Sequence, residues 1–451
     1  MKVKFLREKY PRFIYEKYFY KISGNNLEIF FDFLIEPKIK FKPKIIIENI
    51  NKKQIEEVGP VPQQAGYGVK DRVLDNLIFH LGLIELSSYW KATCSPEIII
   101  KAGFLNSEQI KWCKDLIIKG MGQFFYENRI DWRKPNFLKI KTTQNPNVTM
   151  SGNVTLGMRL KYRYLIPVGG GKDSIVTLEF LKKQGKTINC FLVNPTIAAQ
   201  KVAKVAGIKN PIIVKRRIDP VLLKLNQRGY LNGHTPFTAV LSFLSVFCAV
   251  LFDYKNIVFS NEESANEGNV KYLGKIINHQ WSKSSEFEKK FKNYCQKYLA
   301  ESINYFSLLR PYTELEISKM FIKYPQYFSV FSSCNAGQKT GQRWCGECPK
   351  CLFVYAVLYP FLEKKELLKI FGKDLFDPST SSRPEGRGSP LEEAAGQEKL
   401  LLIMKSLIGW GRPKPFECVG TKKESKLAFS LSLKKAQQTG KIPFLLTKIK
   451  N

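Results

Sequence analysis

Acidic residues are scarce in this 451-residue chain: 39 Asp and Glu stand against 72 Lys and Arg, a net charge of +33. Such an excess sets up a field favouring anionic partners, among them phosphate, nucleic acid and acidic lipid. The basic residues are mostly lysines scattered along the chain, as in KKFKNYCQKY (289–298), which reads first as a solvated surface. No RRM or KH signature is present to turn that charge into a nucleic-acid module, so nucleic acid is not the expected partner, although the charge keeps it open. Long apolar runs are also missing. The longest, FTAVLSFLSVFCAVLF from Phe237 to Phe252, falls short of the roughly 20 residues that span a bilayer and is closed by Asp253 and Lys255. A helix buried in an α/β core is predicted there, and no membrane partner. The opening MKVKFLREKYPRF is charged and has no seven-residue apolar core, so no secretory signal is expected and the reading places the chain in the cytoplasm. Internal repeats are absent.

What is present is enough apolar material for a large core, 44% of residues with 13% aromatic, in a chain longer than one typical domain. Two or three packed units are expected. Residues 1–155 read as an N-terminal α+β domain, with strands in NNLEIFFDFLIEP and KFKPKIIIENI and a helix in DRVLDNLIFHLGLIELSSYW. The Thr-, Asn- and Gly-rich text at 140–158 reads as a linker or exposed hairpin. From Tyr162 strands and helices alternate, the sign of a doubly wound parallel sheet over 160–330. Strands are expected near 163–168, 187–193, 211–215, 256–260 and 327–332. Helices are expected from Asp173, around 196–206, and from Pro236 with Thr235 as its N-cap. A cysteine-bearing element and helix fill 331–375. The segment around 376–398, poor in apolar residues and rich in Pro, Ser and Gly, reads as a disordered insertion, and 399–451 as a C-terminal segment.

The strongest chemical signal is YLIPVGGGKDSIVTLEFL (164–181), an apolar strand, three glycines, then Lys172, Asp173 and Ser174 opening a helix. Gly169, Gly170 and Gly171 let backbone N–H groups approach a polyphosphate, the helix N-terminus adds partial positive charge, and Ser174 can donate to a phosphate oxygen. Asp173 is placed to hold Mg²⁺ against that phosphate. The Walker spacing is absent, and Ser174 stands where a dinucleotide fingerprint needs its last glycine. The run resembles the PP-loop of the adenylating ATP pyrophosphatases. That resemblance implies ATP as co-substrate, a fold of the adenine-nucleotide α-hydrolase type, and transfer of adenylate to a carboxylate or carbonyl oxygen.

Ten cysteines point to metal or thiol chemistry where they cluster. Cys334, Cys345, Cys348 and Cys351 do so, in a spacing that suits a tetrahedral Zn²⁺ and, through its C-x-x-C-x-x-C run, an iron–sulfur cluster as the second choice. In the zinc reading the element is a structural staple. Cys94, Cys113, Cys190, Cys248 and Cys295 sit singly and read as core residues, whereas Cys418 lies in a polar, glycine-bearing loop.

Beyond the glycine loop and the cysteines, four stretches carry a further resemblance: LGLIELSSYWKATCSPEIIIKAG (81–103), LNGHTPFTA (231–239), SNEESANEGN with NHQWSKSSEFE (260–269 and 278–288), and KPFECVGT (414–421). Together they resemble the UDP-N-acetylmuramoyl-L-alanyl-L-glutamate epimerase family of peptidoglycan synthesis, over nearly the whole chain except 377–398. The resemblance implies an ATP- and Mg²⁺-dependent isomerase serving cell-wall biogenesis and cell shape, with small-molecule substrates: ATP and the UDP-muramoyl dipeptide. The queuosine-pathway nitrile synthases, which also combine a PP-loop with such a cysteine run, supply the alternative: adenylation of a nucleobase or tRNA. They are shorter and begin near the loop, whereas a whole domain precedes it here.

The implied chemistry needs an acid/base pair at the glutamyl α-carbon. Candidates are Cys418, Glu417 and His234, with Glu262 and His279 behind them, and chemistry alone does not choose among these. Asn261, Glu262, Asn266, Glu267 and Asn269 follow the expected fourth strand and could orient ATP, Mg²⁺ or the glutamyl end. Arg216 and Arg217 are read either as partners of a substrate phosphate or carboxylate or as a surface pair.

Overall fold

Alternation along the strands decides how this chain packs. In the strand Tyr164–Pro167, Leu165 points into one apolar core while Tyr164 and Ile166 point into the other. The next strand repeats the pattern, with Phe191 on the first side and Cys190 and Leu192 on the second. A strand apolar on both faces must be covered on both, and each large side chain so buried contributes about 1.5–3 kcal/mol. The sheet is therefore a middle layer.

The computed structural model describes residues 2–50, 54, 69–142, 160–377 and 390–449. Its strands are β1 (Arg12–Ser23), β2 (Asn26–Ile35), β3 (Ile39–Phe41), β4 (Lys44–Ile47), β5 (Glu97–Ile100), β6 (Lys139–Thr142), β7 (Tyr164–Pro167), β8 (Ile188–Val193), β9 (Ile212–Arg217), β10 (Asn256–Phe259), β11 (Val270–Tyr272), β12 (Lys275–Ile277) and β13 (Asn304–Ser307). Eleven of them form one mixed, mostly parallel sheet in the order β13-β10-β7-β8-β9-β4-β2-β1-β5-β6, with β3 paired to β2. β11 and β12 make a separate hairpin. From β7 the chain winds outward through β8 to β9 and then, on the other side, through β10 to β13, all parallel. The reversal point lies between β7 and β10, where an α/β sheet leaves a crevice at its strand carboxyl ends.

The unit expected over 1–155 shares this sheet: β4 pairs antiparallel with β9, Ile46 opposite Lys215 and Ile47 opposite Val214. Helix α1 (Val69–Glu85) lies in the same core as α4 (Phe237–Leu251), which carries the long apolar run. Helices α2 (Lys172–Lys183) and α3 (Ile197–Val205) follow β7 and β8, and α3 is capped by Thr196, whose hydroxyl accepts from the Ala199 amide at 3.1 Å. Further on come α5 (Ser285–Tyr298), α6 (Glu314–Phe321), α7 (Pro349–Leu358), α8 (Pro390–Ile408) and α9 (Lys422–Gln438).

Two expectations are corrected. The text at 327–332 is not a strand: a 3-10 turn at Pro325–Tyr327 leads into irregular chain, and the apolar residues Tyr327, Phe328 and Phe331 pack around Phe321 of α6 instead of pairing in a sheet. The fifth parallel strand is β13, too short and polar-ended to show a period. Thr235 does not cap α4; Pro236 holds the cap position, at ψ 72°, and the Thr235 carbonyl accepts from the Phe237 amide at 2.7 Å. The expected linker is described only at its start, where Thr142 ends β6, and 143–159 lie outside the described residues. Of the expected insertion, 378–389 lie outside them, while α8 already begins at Pro390. No helix among the described residues is long and apolar enough to cross a membrane.

Candidate active site and metal centre

The crevice at the reversal point holds a cavity of about 480 Å³, lined by Gly169, Gly171, Asp173 and Ser174 after β7, Asn194 and Thr196 after β8, and Ser260 and Asn261 after β10. Phe237, Lys283, Ser332, Ser333 and Lys350 close it. Gly170 has φ +91°, and a Cβ there would lie 2.7 Å from the Ala199 amide nitrogen, so the loop needs glycine both for its conformation and for its approach to α3. Its carbonyl accepts from the Ser332 amide at 2.9 Å. Ser174 opens α2, its hydroxyl donating to the Gly171 carbonyl at 2.9 Å.

Lys172 does not face the cavity. It is buried beneath the loop, its ammonium 2.5 Å from Asp173 Oδ1 and bonded to Glu314 of α6. Lys172, counted in the sequence among the nucleotide-loop residues, is here paired with two carboxylates and holds the loop. Burial pushes Asp173 toward the neutral form, but Lys172 outweighs it and keeps the carboxylate below its ordinary pKa. Glu314 goes the other way, raised to about 7 by burial that Lys172 only partly offsets. The Glu314 amide donates at 2.8 Å to Glu424, whose other oxygen closes a capping box with Thr421 at the start of α9.

Beside the cavity stands the thiol. Lys283 Nζ lies 3.2 Å from Cys418 Sγ, and Lys283 also lines the cavity. Burial opposes ionisation of Cys418, but the charges of Lys283 and then Lys350 outweigh it and hold the thiol below its ordinary value. Glu417 is raised by burial, with Lys350 opposing. The two loops singled out in the sequence meet here: Asn269 donates to the Pro415 carbonyl at 2.6 Å, Glu267 pairs with the buried Lys414 at 2.9 Å, and the same carboxylate accepts from the Lys422 amide at 3.2 Å. Phe416 packs on Tyr126 and His279 at ring separations of 5.5 and 6.3 Å.

His234 and His279 stand as a pair with ring centres 4.5 Å apart. Burial first, then His279 and Lys91, lower His234 to about 3, and burial with Lys283 and Lys350 lowers His279 to about 4. Both rings are neutral at physiological pH. Gln123 meets His279 Nδ1 at 2.5 Å, whereas His234 Nδ1 is buried without a partner. Asn261 lines the cavity and donates to Ser307 at 3.0 Å, while Glu262 is buried and accepts from Ser264 at 3.1 Å. Asn266 accepts from Ser285 at the start of α5 and is not among the residues lining this cavity. Arg216 is taken up internally, 2.7 Å from the buried Glu85 with a second bond to Ser88, so it is not one of a plain surface pair.

The four cysteines converge. Cys334 and Cys348 sulfurs lie 3.9 Å apart, Cys345 and Cys351 3.8 Å, Cys348 and Cys351 3.5 Å. Amides of Gly337, Cys345 and Cys351 point at sulfurs, the arrangement that steadies thiolate ligands. Gly346 has φ +69°, and a Cβ there would sit 2.0 Å from Lys373 Cε, so the turn between the second and third cysteines demands glycine. The group can hold a metal ion. Lys283, Lys350 and Glu314 were missed by sequence reasoning; the first lay inside a quoted stretch and the second between two cysteines, but only folding aims them at one cavity.

A crevice at the reversal point of a mixed α/β sheet, walled by a glycine loop and bordered by a lysine-held thiol, defines the class: an α/β enzyme with its chemistry at the strand carboxyl ends. Comparison with known proteins gives the family. The MurL N-terminal domain matches residues 4–308 and the MurL C-terminal domain residues 330–386. Three proteins named UDP-N-acetyl-α-D-muramoyl-L-alanyl-L-glutamate epimerase are similar over most of their length. That of Xanthomonas oryzae pv. oryzae is 34% identical over 79% of this chain and 74% of its own. Those of Salinispora tropica and a Micromonospora species are each 35% identical over 82% of this chain and 76% of their own. The chain belongs to this epimerase family.

Proposed function

We propose that this protein inverts the α-carbon of the terminal glutamate of UDP-N-acetylmuramoyl-L-Ala-L-Glu, using ATP to adenylate the carboxylate attached to that carbon. The relatives' shared name supports the substrate, and the reversal-point cavity with its glycine loop supports the nucleotide. An ionised carboxylate makes the neighbouring C–H very weakly acidic; esterifying it to adenylate removes the charge and lets the enolate form. Only the α-carboxylate is bonded to the carbon that inverts.

The observation that carries the acid/base assignment is the 3.2 Å contact between Lys283 and Cys418 beside the cavity. Cys418, its thiolate favoured by Lys283, takes the Cα proton, and the electron pair moves into the adenylated carbonyl. Glu417, whose carboxyl burial shifts toward the protonated form, returns a proton from the opposite face. Water then attacks the D-acyl-adenylate and releases AMP, so each turnover converts ATP and water to AMP and pyrophosphate. His234, with a ring held neutral by burial and by the charges of His279 and Lys91, is the weaker candidate for a proton carrier. Asp173, with one oxygen on Lys172 and its side chain among those lining the cavity, fits a Mg²⁺ site, where the ion would offset phosphate charge.

For the cysteine centre we favour zinc. A tetrahedron with bonds of about 2.3 Å has sulfur–sulfur edges of about 3.8 Å, and the closest sulfur pairs lie 3.5–3.9 Å apart. An iron–sulfur cluster spreads its thiolates over several irons and needs wider spacing. The site then serves the fold of 331–375. Adenylation of a nucleobase or tRNA is not favoured, since no feature of the site or the relatives supports it.

The test is pyrophosphate release by purified protein with ATP and Mg²⁺, in separate reactions with the L-Glu dipeptide precursor and with total tRNA. Release with the precursor alone, accompanied by the D-Glu diastereomer, is expected; release with tRNA alone would overturn the proposal.

A further inference from the structure

Several cations near the cavity have ion-pair or hydrogen-bond partners among the described residues. Lys172 is held by Asp173 and Glu314, Lys283 by Cys418, Lys414 by Glu267, and Arg310 by Glu288 at 2.7 Å. Lys350 is different: among the described residues it has no ion pair or hydrogen bond, and it lines the same cavity as Gly169, Gly171 and Ser174. Its backbone is fixed on both sides, because it sits between Cys348 and Cys351, whose sulfurs are 3.5 Å apart, at the start of α7. Ser332 and Ser333, just before Cys334, line the cavity too, and Ser332 donates its amide to the Gly170 carbonyl. The cysteine centre thus builds one wall of the crevice and presents a free ammonium from it.

We propose that Lys350 binds the polyphosphate of ATP, delivered to the cavity by the cysteine turn. The inference rests on the ATP reading above and adds to it a residue and a role. A triphosphate brings several negative charges into a crevice whose glycine loop offers amides but whose own lysine is spent beneath it. A compact ammonium on a side chain whose backbone is fixed on both sides supplies the missing charge with little backbone ordering cost. Lys350 lines the same cavity as the loop, so its ammonium and the loop amides would share the phosphates.

The test is equilibrium binding of ATP, and of adenosine as a probe without phosphates, to the metal-loaded full chain and to Lys350→Met and Lys350→Arg. The expected result is ATP affinity lowered at least tenfold in Lys350→Met, largely kept in Lys350→Arg, with adenosine affinity unchanged and metal content equal to wild type. Equal ATP affinity in Lys350→Met overturns the inference while leaving the ATP reading intact. Loss of ATP and adenosine together, or of metal, marks a collapsed pocket and overturns the phosphate contact, as would weakened binding of the UDP-dipeptide alone. Absence of ATP binding by the wild-type chain overturns the nucleotide reading, and this inference with it.

Discussion

Lys283 and Cys418, 135 positions apart in sequence, meet at 3.2 Å beside the cavity. A cation at that distance favours the thiolate, and the Cys418 pKa lies below that of an ordinary thiol. Because the shift is downward, the thiolate persists to lower pH than in a free thiol and is lost as pH falls through the lowered value. Alkylation of Cys418 by iodoacetamide should therefore show an acid limb below that of a free thiol. In Lys283→Met the limb should move up by about one unit or more. An unchanged limb would remove Lys283 from its role.

Cys418→Ala should lower epimerisation by about 10²–10⁴-fold, the usual worth of a positioned base, while ATP binding is kept. Exchange of the Cα proton with solvent should fall by the same factor. Turnover close to wild type in this variant would hand the base to another residue.

Metal removal should act on the fold and on the cavity together. Cys345→Ser or chelation should release the metal, measured by elemental analysis, and melt the 331–375 region, whose site contributes on the order of 10 kcal/mol to local folding. ATP affinity should drop in parallel, because Ser332, Ser333 and Lys350 hang on the same turn.

Gly170→Ala should cost about 1–3 kcal/mol through its positive φ alone. The clash with the Ala199 amide, 2.7 Å from the new Cβ, adds to that. Thermal denaturation and nucleotide binding should both register the change, whereas Gly169→Ala, whose Cβ meets nothing within 4 Å, should leave stability near wild type.

Arg216→Met should destabilise by about 3–5 kcal/mol, because Glu85 is left charged and buried without its partner. Substrate KM in the folded fraction should be unchanged. A KM effect without a stability effect would give Arg216 a substrate-binding role instead.

Strong local periods were legible: β7, β8, β9 and β10 lie where the apolar alternation put them, and the glycine loop opens α2 as its residues dictate. The text at 327–332 misled because aromatic residues that pack as knobs around a helix read the same as a strand. Cys418, Glu417 and the glycine loop were visible as residues out of pattern. What brings them together was not, since β4 joining β9, or Asn269 holding Pro415, is set by tertiary pairing that leaves no mark on either segment. Lys172 and Lys350 show the same limit, for one lysine in a phosphate-loop pattern turns inward and one between cysteines turns toward the cavity.

The most direct measurement is a single reaction in D₂O with ATP, Mg²⁺ and UDP-N-acetylmuramoyl-L-Ala-L-Glu, following stereochemistry, deuterium at Cα and nucleotide products. The account predicts the D-Glu product carrying one deuterium at Cα, with AMP and pyrophosphate formed in equal amounts and at least one of each per inversion. Inversion without pyrophosphate release, or pyrophosphate release without deuterium at Cα, would contradict it.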